Sequence, residues 1–176
     1  MHMRKIILQL AVSLDSFIEG PNGEFDWCFT DQDYGMEDFL GRIDTIFAGR
    51  KTYELLLSMG EQGRAAFPKL KYYIFSNTLA GVEEDDILVK GDVLQEVTKI
   101  KNEPGKDIWL FGGADLTSSL IQLKLVDEIA LAVHPILLGS GKRLFNNINE
   151  KIKLQLTDSK TYSSGLVFLT YNILHN

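Results

Sequence analysis

Residues 107–122, DIWLFGGADLTSSLIQ, constrain the fold of this chain more than any other stretch. The apolar run Ile108-Trp109-Leu110-Phe111 reads as a buried strand, meets Gly112-Gly113, and passes into residues 114–121, whose apolar side chains recur at helical spacing. Two adjacent glycines let the backbone turn with no side chain in the way, and the free N–H groups of the helix's first turn then point into the vacated space. Such a place suits an anion, most often phosphate. Glycines that serve only close packing of a strand on a helix account for this one junction equally well.

Elsewhere the pattern recurs. Residues 4–12 are nearly continuous in apolar residues, as in a strand covered on both faces. Residues 13–23 break into a loop with Gly-Pro and Asn-Gly turn signals, and Phe25, Trp27 and Phe29 follow it. Residues 34–43 carry a helical apolar stripe, Met36, Phe39, Leu40 and Ile43, with acidic residues at the front. A short strand over 45–48 then runs into Gly49-Arg50-Lys51-Thr52 and a helix. Three phosphate-compatible side chains on a first turn are a stronger anion signal than glycines alone, against the alternative of a solvated basic helix start. Residues 71–75 form the next strand, ending in Ser76-Asn77-Thr78; a short strand over 87–89, an amphipathic segment over 92–101 and a strand over 129–135 follow. Residues 152–159 and 166–174, around Ser163-Ser164-Gly165, read as an antiparallel hairpin.

Alternation of strands and helices implies an α/β fold in three layers. A mostly parallel central sheet is flanked by helices and ends in the antiparallel C-terminal hairpin, all within one domain spanning residues 1–176. Ligands of open α/β sheets sit at the carboxyl ends of strands, where the corners at Gly49, Ser76 and Gly112 would converge. The G-x-G-x-x-G fingerprint is absent, so a dinucleotide would be held in another way.

A net charge of -6 argues against a nucleic-acid surface, and any anionic ligand must then rely on local donors. Cys28 is the only cysteine, and His2, His134 and His175 are scattered, which excludes a disulfide framework and zinc-like spacing, so no metal is expected. No apolar run approaches the ~20 residues that cross a bilayer and no signal-peptide pattern opens the chain; we read a reduced, cytoplasmic protein with no membrane partner.

On these residues the chain resembles the dihydrofolate reductase superfamily, and within it the riboflavin-biosynthesis branch, the reductase domain of bifunctional deaminase-reductases. Residues 11–18, AVSLDSFI, resemble the first strand and the flexible loop beside the nicotinamide, so that Ala11, Phe17 and Ile18 are implied at the cofactor. Gly49-Arg50-Lys51-Thr52 is similar to the Gly-Arg-x-Thr that holds phosphates. Ser76-Asn77 resembles the segment at the adenosine 2'-phosphate, with Asn77 where the family carries an arginine, which leaves the preference for NADPH over NADH open. Phe111-Gly112-Gly113-Ala114, continuing into Asp115 and Leu116, resembles the glycine pair beside the pyrophosphate, usually joined by a cis peptide. Val126-Asp127-Glu128-Ile129 and the later Pro135…Gly139-Ser140-Gly141…Leu144-Phe145 carry the likeness to the riboflavin branch.

The resemblance implies an NADPH-dependent reductase acting on a small nitrogen heterocycle, with 5-amino-6-(5-phosphoribosylamino)uracil reduction as the best single activity. Hydride transfer needs two rings held face to face, and Phe17, Ile18 and Trp27 are candidates to close over them, ordinary core being the alternative for each. The superfamily's proton-promoting carboxylate on the first helix corresponds to Asp33, with Glu37 and Asp38 within a turn; an acidic turn complementing the helix dipole is the better account of any one of them. Asp15 is a substrate-side polar group or a turn cap, and Lys142 and Arg143 contact substrate or solvate a loop. His134, before a proline on an apolar strand, reads as structural. Dihydrofolate reduction and a non-catalytic dinucleotide-binding module are the rival functions. A homodimer is implied, with residues 129–138 and the terminal hairpin as candidate surfaces and buried core as the equal alternative.

Overall fold

The computed structural model describes residues 3–60, 67 and 69–175; His2 lies outside them. In chain order the strands are β1 (Ile6–Ser13), β2 (Phe17–Glu19), β3 (Ile43–Gly49), β4 (Lys71–Phe75), β5 (Ile87–Val89), β6 (Asp107–Gly112), β7 (Glu128–His134), β8 (Lys142–Arg143), β9 (Lys153–Thr161) and β10 (Val167–Leu174). Between them run α1 (Met36–Arg42), α2 (Arg50–Ser58), α3 (Val93–Lys101) and α4 (Ala114–Gln122). Eight strands form one sheet in the order β5-β4-β3-β6-β1-β7-β10-β9, and β2 pairs with β8 in a separate ribbon. The pairs from β5 across to β7 are parallel, while β10 runs antiparallel to both β7 and β9, as the hairpin pattern requires.

Each sheet face buries its own apolar set because successive strand side chains alternate sides. Ile6, Leu8 and Val12 of β1 pack with Val97 and Ile100 of α3 and Leu116 and Leu120 of α4. Ile7 of the same strand joins Trp109, Phe39 of α1, and Tyr53 and Leu56 of α2 on the other face. Helices therefore cover both faces, giving the three layers expected. Helix α1 is shorter than its apolar stripe: Gly35 at φ +83° precedes it and Ile43 is already extended, so the stripe's last residue opens β3.

At the amino ends of the parallel strands a set of charges binds the layers. Arg4, 4% exposed, donates to Thr45 Oγ1, Asp44 and the Lys106 carbonyl. The Lys101 ammonium lies 2.7 Å from Asp127 Oδ2, which also accepts the Ile6 N–H at 2.7 Å, and Arg42 grips Glu128 at 3.1 Å. Asp127 and Glu128, part of the motif that resembles the riboflavin branch, thus serve the end of the sheet opposite the glycine corners.

Of the two alternatives for residues 129–138, buried core accounts for Ile129, Ala130 and His134 of β7, a strand that lies between β1 and β10, while Leu131, Ala132 and Val133 are half-buried. In the terminal hairpin all nine residues of β9 are exposed.

Because Asp127 compensates a buried ammonium and a strand N–H together, Asp127→Asn should cost about 1–3 kcal/mol of stability. A denaturant titration of the two proteins checks this.

Candidate functional site

Strands β4, β3 and β6 are neighbours, so the corners that follow them open on one cavity of about 310 Å³, lined by Gly49, Arg50, Lys51, Thr52, Ser76, Asn77 and Gly113 through Leu116. Helices α2 and α4 both begin there, on Gly49 and Gly113, and neither N-terminus has a side-chain cap. On the same rim α3 is capped by Asp92, whose carboxylate accepts the Gln95 N–H. Two helix starts with orphan N–H groups and positive dipole ends therefore meet in one cavity, beside the cations Arg50, Lys51 and Lys142. Their approach is close: a Cβ on Gly49 would lie 3.7 Å from the Gly113 nitrogen. Gly112 adopts φ +124°, a backbone open to glycine, and the Gly112-Gly113 peptide is cis, as the resemblance implied. Arg50 is paired with Glu54 at 2.9 Å along its own helix. Ser76 Oγ accepts the Thr78 and Leu79 N–H groups and Asn77 Oδ1 accepts the Gly91 N–H, so both side chains shape this rim.

Thr52, Gly113, Ala114 and Lys142 also line a second cavity of about 600 Å³ that adjoins the first. Its floor is the sheet face carrying Gln9 and Ala11, Trp109 and Phe111, Ala132 and His134, and Phe168. The Trp109 and Phe111 rings meet edge to face at 4.7 Å, and Phe67 stands against both. His134 has both nitrogens engaged: Nδ1 bonds the Ala132 carbonyl at 2.9 Å and Nε2 accepts the Phe29 N–H at 3.1 Å, an arrangement that requires the neutral ring. Burial also pushes its pKa down. Cys28 on the same wall is pushed up to about 11 by burial and the nearby Asp26, which leaves an inert thiol.

The β2–β8 ribbon roofs the junction. Glu19 and Lys142 are cross-strand partners with their charges 3.5 Å apart, and the Arg143 guanidinium covers the Phe17 ring at 4.8 Å. Gly141 lies at φ +136°, and a Cβ there would fall 2.1 Å from the Glu19 carbonyl, so this position needs glycine for the ribbon to close. Asp15 ties the roof down. It accepts the Ser13 hydroxyl at 2.7 Å and the Leu138 and Gly139 N–H groups at 3.1 and 2.8 Å.

Of the residues singled out in the sequence, the phosphate-side set converges on the first cavity, and Ala11, Ile18, Phe111 and Gly112 line the second. Others are placed differently. Asp33 lines the second cavity, but its two oxygens accept the Gly35 and Glu37 N–H groups at the start of α1. Glu37 is exposed on that turn and lines neither cavity, its place in the sequence having fixed only its helix and not its direction. Phe17, 5% exposed, is core beneath Arg143. Trp27 packs edge-on against His134 at 5.3 Å and supports the wall from behind, and Asp15 is a clasp rather than a cavity group. Gln9 and Thr117, which line the second cavity, gave no signal beyond their strand and helix patterns.

The RibD C-terminal domain family matches residues 4–168. The Bacillus subtilis (strain 168) protein YyaP is 45% identical over 179 residues, covering 96% of this chain and 95% of YyaP. Among solved structures, a putative riboflavin biosynthesis protein from Shewanella sp. PV-4 is 25% identical with a TM-score of 0.86, over 97% of this chain and 99% of that one. Dihydrofolate reductase from Enterococcus faecalis, complexed with NADP(H), superimposes with a TM-score of 0.68 at 14% identity, over 96% of each chain. The fold is dihydrofolate reductase-like.

Ser13 first, and then the Gly139 and Leu138 N–H groups, hold the Asp15 carboxyl at about 2 against an ordinary 3.8. A lowered folded-state value stabilises the fold fully above the ordinary value and ceases to as pH falls toward about 2. Melting temperatures of wild type and Asp15→Asn should therefore differ by a constant amount from pH 7 to about 5, and the gap should close as acid is added below pH 4.

Proposed function

This chain belongs to the RibD C-terminal domain family, and from that premise we propose that it is a reductase using NADPH to reduce a small nitrogen heterocycle, with a 5-amino-6-(5-phosphoribosylamino)uracil-type acceptor as the best single substrate. The observation that carries this reading is the pair of adjoining cavities, one with two uncapped helix starts and three cations, one walled by aromatic rings, meeting at Gly113 and Ala114.

The residues of the first cavity fit the phosphates of a dinucleotide. Orphan N–H groups of α2 and α4 supply donors, Arg50 and Lys51 supply charge, and Thr52 adds a hydroxyl beside Gly113. When bound, the nicotinamide supplies the hydride. Ala11, Ile18, Phe111 and Gly112, which line the second cavity, would hold the ring end of the cofactor, and the aromatic wall would keep water from the acceptor. Asp33 and Glu19 are the carboxylates that line the second cavity; the bonds of Asp33 to the Gly35 and Glu37 N–H groups and the pairing of Glu19 with Lys142 favour parts in ordering α1 and the ribbon over one in moving a proton. That observation supports a second reading, a dinucleotide-binding module without turnover.

Assays of NADPH oxidation with the aminouracil ribotide and with dihydrofolate separate these readings. Consumption with the first supports the proposal, and tight cofactor binding with neither acceptor reduced supports the module. Melting curves unmoved by NADPH and NADH alike would sink both. Within the proposal, Arg50→Ala should raise the Kd for NADPH about tenfold, since one charge-assisted phosphate contact is worth ~1.4 kcal/mol or more. The melting temperature should hardly change, because the exposed pair with Glu54 is worth only ~0.3–0.5 kcal/mol.

We also propose a homodimer, formed through the hairpin edge. Strand β9 leaves a row of backbone groups unpaired along its outer side and carries Leu154 and Leu156 at 43% and 52% exposure. Sedimentation of wild type at the mass of two chains, and of Leu156→Lys at one, is the expected result.

A further inference from the structure

The second cavity holds two polar side chains that are buried and have no hydrogen-bond partner among the described residues. Gln9 is 6% exposed and lines the cavity; its backbone carbonyl accepts the Trp109 Nε1–H at 2.8 Å, and its side-chain amide meets no hydrogen-bond partner among the described residues. Thr117 of the same lining is 1% exposed, and its Oγ1 is unpartnered among the described residues. Buried polar groups are otherwise satisfied in folded proteins, and one left open on a cavity wall is a place for a ligand atom.

Resting on the reductase reading above, we propose that Gln9 is the specificity-determining residue of this cavity, its side-chain amide pairing with the lactam edge of a flat, uncharged heterocycle. A primary amide presents a donor and an acceptor in one plane, and the group that satisfies both at once is another amide edge, N–H beside C=O. The neighbours of Gln9 leave room for such a ring. Across β7 its partner is Ala130, and the next pair is Ala11 with Ala132, so no large side chain covers the amide on that side. On the β6 side the rings of Trp109 and Phe111 supply an apolar wall. Charge points the same way: Lys142 is matched by Glu19 at 3.5 Å and Asp33 adds a carboxylate, so the described wall has no positive excess to favour an anionic ring.

The test compares 5,6-diaminouracil with its 1,3-dimethyl derivative, which keeps the flat uncharged ring and loses the N–H half of each lactam edge. Binding is followed by tryptophan fluorescence, with and without saturating NADPH. Wild type should bind the unmethylated ring on the order of tenfold more tightly, the loss expected when a site's buried polar group is left unpaired. Gln9→Met, which keeps the length and removes the amide, should bring the ratio close to one while the Kd for NADPH stays as in wild type. Gln9→Ala provides the same comparison should the methionine variant fold poorly. A preference that survives both substitutions, or a wild type that does not discriminate, overturns the proposal. A wild type that discriminates yet binds no NADPH would sustain it and overturn the reductase reading instead.

Discussion

Contact between two strand-to-helix corners is the constraint on which the site depends. Strands β3 and β6 are hydrogen-bonded neighbours in a parallel sheet, so Gly49 and Gly112-Gly113 are forced side by side, and a Cβ on Gly49 would touch the Gly113 nitrogen at 3.7 Å. Helices α2 and α4 depart from these corners to opposite faces of the sheet, Tyr53 and Leu56 burying on one side and Leu116 and Leu120 on the other. Their N-termini stay together while their bodies separate. The result is an electropositive crevice made from two helix starts and a few local cations, which an acidic protein of net charge -6 can present without a basic surface.

Stability and binding are divided between the two ends of the same strands. At the amino ends, Arg4 is held by Asp44 and Thr45, while Arg42, Lys101, Asp107, Asp127 and Glu128 satisfy one another and the strand-edge N–H groups of Lys5 and Ile6. At the carboxyl ends, helix starts and a glutamine amide are left open. Unsatisfied polar groups weaken a fold, so their confinement to one end, with a paired network at the other, is what a binding protein of this topology requires.

The sheet and the first cavity were legible because they rest on patterns that survive in one dimension. Apolar runs ending at Gly49 and Gly112 mark strands meeting helix starts, the run ending at Ser76 marks a strand meeting a polar turn, and a parallel sheet aligns such ends whatever the loops do. What could not be read was contact between segments distant in the chain. The β2–β8 ribbon has three residues on one side and two on the other, too few to show a period, and it joins positions more than a hundred residues apart. For that reason Lys142 could be named but not located, and Asp15 could not be told from a substrate group until its carboxylate was seen on the Leu138 and Gly139 N–H groups. Phe17 and Ile18 illustrate the limit most simply. Adjacent residues on a strand face opposite ways, and only the ribbon decides which one meets the cavity.

The same ribbon changes what the segment after β1 does. A free loop beside a cavity would have to be ordered whenever a ligand bound there, and the entropy of that ordering would be taken from binding. Here the segment is already tied. The Leu14 N–H donates to the Ile136 carbonyl at 2.9 Å, Leu144 N–H to the Ser16 carbonyl at 3.0 Å, and Ser13 Oγ accepts the Phe17 N–H at 2.9 Å while bonding Asp15. Residues 13–19 and 136–144 thus form one roof whose order does not wait for a ligand, with Gly141 allowing the two halves to touch. Its cation at the junction, Lys142, is held in place by Glu19, so the charge at the meeting point of the two cavities is set by the fold before either is filled.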